Sequence, residues 1–297
     1  MTVFTRQLRR WIACMAAVAC ATAATAAEKI LLQHDDQQRT YVAHLPKSYD
    51  GSKAVPLLIA LHGTRMSGAD MLNYTDLVRK SEVAGFILAA PDSLGLAFND
   101  GSGRGTDVVA FVTDVRFIEG VADDAKKRFK IDSAKIYLVG FSSGAAMVQR
   151  IAVESQYDFA AFASISDHLW VKNDRISRPR PLLLVFGTAD PLNPKAGGTV
   201  SIPVRLDKPA HSVTAKAWAA RLKCEPIPAS ATAPAGVIAQ LWRACESGSR
   251  VAWYEVEGLA HQWSGGAPLP FPESAVGKFT SSPSLGDLVW EFLTTAP

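Results

Sequence analysis

The chain has 297 residues, 48% of them hydrophobic, with 31 Lys+Arg against 28 Asp+Glu. Three of the basic residues, Arg6, Arg9 and Arg10, fall in the first 27 positions, which hold no acid, so the rest of the chain is formally neutral. A neutral body without charge runs excludes an electrostatic grip on nucleic acid.

The N-terminus reads in three parts: the arginines, an apolar run from Trp11 to about Ala21, and small residues through Ala27 before the first acid, Glu28. That order describes a cleaved export leader over residues 1–27. Its apolar run is too short for a stable anchor, since a bilayer span needs roughly 20 residues. The expected location is therefore secreted or periplasmic, with a catalytic domain over 28–297. Cys14 and Cys20 leave with the leader, and Cys224 and Cys245 remain. Two cysteines in an oxidising compartment predict one disulfide.

In the body, Ile30–Gln33 and Thr40–Leu45 predict a hairpin turning over Asp35–Gln38. Val55–Leu61 is a nearly continuous apolar run, the pattern of a strand buried on both faces of a parallel sheet. Ser67–Ala84 has helical spacing, and Phe86–Ala90 predicts another buried strand. Ser93–Asp107 holds four Gly and no periodicity, a loop long enough to suggest function. Helix is expected from Val108 or Thr113 to Phe129, then strand Lys135–Gly140 and helix Ser143–Glu154. Strands Phe159–Ser164 and Pro181–Phe186 follow, then helix Ser212–Leu222, a last strand Arg250–Val256 and helix Leu285–Leu293. The Ala/Pro-rich segment Glu225–Gly236 reads as a surface loop. Alternating strands and helices imply an α/β fold, a mostly parallel sheet covered on both sides.

Gly140-Phe141-Ser142-Ser143-Gly144 fits Gly-x-Ser-x-Gly between a strand and a helix. In that context the sharp turn lifts a serine hydroxyl clear of the sheet at a helix N-terminus. A serine hydroxyl needs a base to take its proton. In the nucleophile-elbow arrangement the acid and the His follow the Ser in chain order. Of the later histidines, His261 lies just past the last predicted strand; His211 reads as an exposed helix start, and His168 precedes the candidate acid. That acid is Asp190, in Gly187-Thr188-Ala189-Asp190-Pro191 after a late strand. The expected catalytic set is Ser142, Asp190 and His261. Two backbone N–H groups must receive the oxyanion: those of Ser143 and of Thr64, in Leu61-His62-Gly63-Thr64. His62 reads as a structural hydrogen-bonder. Phe98 and Trp170 are candidate substrate contacts, and Trp263 a contact or a support for the His261 loop. His-Glu-x-x-His, Gly-x-Gly-x-x-Gly, the phosphate-binding Gly-Lys-Ser/Thr loop and Cys-x-x-Cys are all missing. No metal or organic cofactor is expected.

These motifs, with Leu45-Pro46, Asn99-Asp100-Gly101, Ala145-Ala146-Met147 and Gly258-Leu259-Ala260-His261-Gln262-Trp263-Ser264-Gly265-Gly266, resemble the esterases related to polyhydroxybutyrate depolymerases. That group also includes feruloyl and acetylxylan esterases. The run from Ser142 to Met147 and the His261-x-Trp263-Ser264-Gly265-Gly266 piece look most like the depolymerase branch. The pair Cys224 and Cys245 resembles a bridge found in such enzymes. The resemblance implies the α/β-hydrolase fold and an exported serine esterase working through an acyl-serine. Its partner would be an ester substrate, small molecule or polymer: a hydroxyalkanoate oligomer or polyester, or alternatively a plant polysaccharide ester. A reading of another class is a catalytically inactive secreted binding protein on the same scaffold. Two positions depart from the pattern: Phe98 stands where Trp is usual, and Phe141 where a smaller aliphatic is common.

Overall fold

The computed structural model describes residues 27–104, 114–172, 176, 178–201 and 204–295. Residues 1–26 of the expected leader and residues 105–113, including the predicted start of a helix, lie outside them. The buried apolar runs become the centre of one sheet. Strands β1 (Glu28–His34), β2 (Gln37–His44), β3 (Val55–Leu61), β4 (Ile87–Pro91), β5 (Ile131–Phe141), β6 (Ala161–Ile165) and β7 (Leu182–Gly187) belong to it. Short β8 (Gly198–Val200) and β9 (Leu206–Lys208) form a separate hairpin. β10 (Ala229–Ser230), β11 (Val237–Trp242) and β12 (Val251–Val256) complete the large sheet. Its order is β1-β2-β4-β3-β5-β6-β7-β12-β11-β10. The pairs from β4 through β12 are parallel, and those at both ends are antiparallel.

The period of two along each central strand divides the core. In β3, Leu57, Ile59 and Leu61 enter one apolar cluster while Leu58 and Ala60 enter the other. The first cluster is closed by α3 (Asp114–Arg128), α4 (Ser143–Glu154) and α5 (His211–Arg221), through Phe117, Val121, Ile151 and Trp218. The second is closed by α1 (Gly68–Tyr74), α2 (Leu77–Ala84) and, after the short α6 (Glu273–Val276), α7 (Leu285–Thr294), through Met71, Leu77, Val289 and Phe292. Burying one such Leu or Phe side chain stabilises by about 1.5–3 kcal/mol. This double cover explains why β3, β6 and β7 read as unbroken apolar runs.

Three expectations need correction. The helix predicted over Ser67–Ala84 is two helices, broken at Thr75 and Asp76. Thr75 is extended (φ −107°, ψ 162°) and its hydroxyl donates to the Met71 carbonyl at 2.6 Å. This ends α1 and frees the Asp76 carboxylate to turn inward. Second, Arg250–Val256 is the last strand in chain order as expected, but the sheet does not end with it: β11 and β10, which were not foreseen, extend it further. β11 is half exposed at Ile238 and buried at Trp242, so its sequence lacks the unbroken apolar run of a central strand. Third, the segment Glu225–Gly236 is not loop throughout, since Ala229 and Ser230 pair with β11. Cys224 and Cys245 are disulfide-bonded across 21 positions, joining the end of α5 to the end of β11. A loop of that length contributes about 3 kcal/mol in the chain-entropy model.

Candidate active site

Between β5 and α4 the chain reverses within one residue. Ser142 sits at φ 55°, ψ −126°, a region that costs a non-glycine residue on the order of 1–3 kcal/mol. The surroundings enforce it. A side chain on Gly140 would come within 2.2 Å of the Gly144 carbonyl oxygen, and one on Gly144 within 2.2 Å of that of Leu61. Only two glycines let α4 start this close to β3 and β5. The Ser142 N–H donates to Ile165 at 2.9 Å, and its carbonyl accepts from Ala145 at 2.8 Å.

The other two members of the expected set arrive from strand ends further along the sheet. Asp190 follows β7 and His261 follows β12. Gly187 is needed where these loops touch, since a Cβ there would lie 2.0 Å from the Leu259 carbonyl oxygen. His261 Nε2 lies 2.9 Å from Ser142 Oγ, and His261 Nδ1 lies 2.9 Å from Asp190 Oδ2. The second carboxylate oxygen accepts the N–H groups of Leu192 (2.8 Å) and Asn193 (2.9 Å). Burial pushes the Asp190 carboxyl up. The imidazole beside it and these two N–H groups outweigh that and hold it below its usual range. Ser142, His261 and Asp190 thus form one hydrogen-bonded line, although they are separated by 119 and 71 positions in sequence.

The loop after β3 folds over the serine. A Cβ on Gly63 would stand 3.1 Å from that of Ser142. His62 is buried and holds this loop in place. Its Nε2 accepts the Ser93 N–H at 3.1 Å, so Nδ1 carries the proton and donates to the Gly63 carbonyl at 2.8 Å. Burial pushes its pKa down, which suits the neutral ring. Thr64 lines the cavity beside Ser142. Ser143 opens α4, where an N–H has no acceptor within the helix.

The remaining expected residues are dispersed. Phe98 is fully buried and packs on the His62 ring at 4.7 Å, so it supports the loop rather than meeting a substrate. Trp263 is also fully buried, and its indole donates to Asp76 at 2.8 Å. That bond ties the segment just after His261 to Asp76. Trp170 donates to Asp167 at 3.3 Å and does not line the cavity at Ser142. His211, read as an exposed helix start, is fully buried. Its Nε2 donates to the Asn193 carbonyl at 2.8 Å, and Phe186 stacks on the ring. The N-terminus of α5 packs against the sheet there, which its sequence does not announce. His168 is buried against the Thr214 hydroxyl at 2.6 Å and is pushed down to about 3 by that burial.

Four residues were missed. Asn193 donates through its amide to the Ser166 carbonyl (2.7 Å) and to Asp190 (3.3 Å). Its place three residues after Asp190 was the available signal. Asp76, freed by the break between α1 and α2, also accepts from the Gly286 N–H at 3.0 Å and from the Ser284 hydroxyl. It fastens the His261 loop to α7, and nothing in a single sequence marks it. Arg104 and Lys208 line the cavity although they lie in segments that read only as loop.

That cavity, about 340 Å³, opens on Ser142 and His261. Phe141, Met66, Leu269, Phe271 and Val276 give it an apolar side, and Arg104, Asn193 and Lys208 a polar one. Among the described residues no cluster of His, Cys, Asp and Glu could hold a metal ion, and no helix is long and apolar enough to cross a membrane.

No family model matches the chain. The solved acetyl xylan esterase from Aspergillus awamori superposes with a TM-score of 0.61 at 14% identity, over 90% of this chain and 99% of that one. This is the α/β-hydrolase fold. The putative esterase NocK of Nocardia uniformis subsp. tsuyamanensis is 28% identical over 262 residues, which are 80% of this chain and 74% of NocK. Feruloyl esterase C of Emericella nidulans is 27% identical over 166 residues, 54% of this chain and 58% of that protein. The sequence relatives of this α/β-hydrolase-fold chain therefore carry esterase names.

Proposed function

We propose that this chain is a serine esterase that hydrolyses carboxylic esters through an acyl group on Ser142. The observation that carries the reading is the unbroken line Ser142–His261–Asp190 at the mouth of a cavity. In the proposed reaction His261 Nε2 takes the Ser142 proton as Oγ bonds to the ester carbonyl carbon. The N–H groups of Thr64 and Ser143 receive the oxyanion. As the ester C–O bond breaks, His261 returns the proton to the departing alcohol oxygen. Water then gives a proton to His261 and its hydroxide to the acyl carbon, and Ser142 leaves protonated. Asp190 keeps the Nδ1 proton in place and stabilises the imidazolium. The named relatives, the strained Ser142 backbone and the depressed Asp190 carboxyl all support this reading.

Two acyl classes suit a cavity at the small end of the usual 300–1,000 Å³ range. Hydroxyalkanoate oligomers or polyester are favoured by the motif around Ser142 and after His261. Ferulate or acetate esters of plant polysaccharide are favoured by the names of the relatives. We read residues 1–27 as a cleaved leader and 28–297 as one catalytic domain, exported to periplasm or medium. The disulfide supports an oxidising compartment. A panel of hydroxybutyrate oligomers, methyl ferulate, acetylated xylan and short nitrophenyl esters tests the reading. Acid release from at least one is expected. Silence on all of them would favour the inactive binding protein.

A further inference from the structure

The polar side of the cavity is built from two buried cations. Arg104 and Lys208 both line it, each only 7% exposed. Asp167 joins them, with Lys208 Nζ donating to one carboxylate oxygen at 2.8 Å and Arg104 Nη1 to the other. Arg104 also donates to Asp100 at 2.6 Å and to the Ser102 hydroxyl at 2.8 Å. Both acids are 1% exposed and neither forms part of the cavity wall. The cations stand in front and the anions behind, so the cluster turns its positive side to the cavity.

The cluster also reaches the proposed catalytic line. Lys208 Nζ donates to Asn193 Oδ1 at 2.8 Å, and Asn193 Nδ2 lies 3.4 Å from His261 Nδ1. One amide side chain thus separates the ammonium from the imidazole. The sequence spends two cations here at a cost. Desolvating each ion costs several kcal/mol, and such networks often stabilise no better than apolar packing. Burial lowers the Lys208 pKa, and Asp167 offsets only part of that. A fixed ammonium has three donors and a guanidinium five. Among the described residues Lys208 uses two and Arg104 three. Both side chains line the cavity, where a planar anion could take further donors from the two residues at once.

We propose that Arg104 and Lys208 form a subsite for a carboxylate carried by the ester substrate, a few atoms from the scissile carbonyl. This rests on the esterase reading above. Esters with a free acid group would be preferred over neutral esters of the same shape.

The test compares two acid–amide pairs: monomethyl glutarate against methyl glutaramate, and the linear 3-hydroxybutyrate dimer against its primary amide. The first carries its carboxylate on the acyl side and the second on the alcohol side. In wild-type protein at low salt, kcat/KM should favour the acid of at least one pair by about tenfold, as a charge-assisted contact in a buried site would give. The ratio should fall toward unity in Lys208→Met. Turnover of the amides with no advantage for either acid overturns the subsite and leaves the esterase reading standing. An advantage undiminished in folded Lys208→Met also overturns it. Failure to hydrolyse any of the four esters overturns the subsite alone when short nitrophenyl esters are still turned over, and overturns both readings when those are not hydrolysed either.

Discussion

Ser142→Ala is expected to lower kcat by about a millionfold while leaving the fold intact, by analogy with nucleophile loss in other serine hydrolases. The substitution removes the one oxygen aligned on His261 Nε2, at 2.9 Å. It leaves the backbone turn in place, because Gly140 and Gly144 enforce that turn rather than the serine hydroxyl. The residual rate should come from the oxyanion donors and the cavity, which act without a nucleophile. Steady-state kinetics on any ester the wild type accepts, with circular dichroism for the fold, checks both halves. A variant within tenfold of wild type would mean that another group attacks the ester.

Asp190→Asn should cost about 10⁴ in kcat, and the hydrogen bonds around it say why. One oxygen of Asp190 accepts the Leu192 and Asn193 N–H groups, and the other faces His261 Nδ1 and the Asn193 amide. An asparagine must keep its carbonyl on the two backbone donors. Its NH₂ then points at His261 Nδ1, which has to accept. The imidazole proton moves to Nε2, and the ring no longer accepts from Ser142. Kinetics on the purified variant checks the size of the loss, and an unchanged KM would locate it in the chemical steps. A loss below tenfold would remove Asp190 from the catalytic line.

The parts of the fold that were legible are those in which chemistry and pattern coincide. β3, β6 and β7 are apolar throughout because both faces are covered, and α4 begins at Ser143 because the elbow allows no other start. The hairpin β1–β2 was visible from its polar turn, where Asp35 and Asp36 both adopt positive φ. β11 was not, because a strand near a sheet edge needs only alternate burial. The break between α1 and α2 was hidden because Thr75 and Asp76 fit a helical pattern, and their reason for leaving it lies some 190 residues away at Trp263. The proposed triad was legible because the elbow imposes a chain order. The polar end of the cavity was not: Arg104, Asp167 and Lys208 meet from three loops or short strands, and no local pattern ties them together.

The central claim is that one hydroxyl among many in this chain is a nucleophile. Labelling with a fluorophosphonate, followed by mass spectrometry of the digested protein, measures that without any assumption about substrate. A single adduct on the peptide carrying Ser142, lost in His261→Ala, is the expected result. No adduct in the wild type, or an adduct on a different residue, would contradict the account.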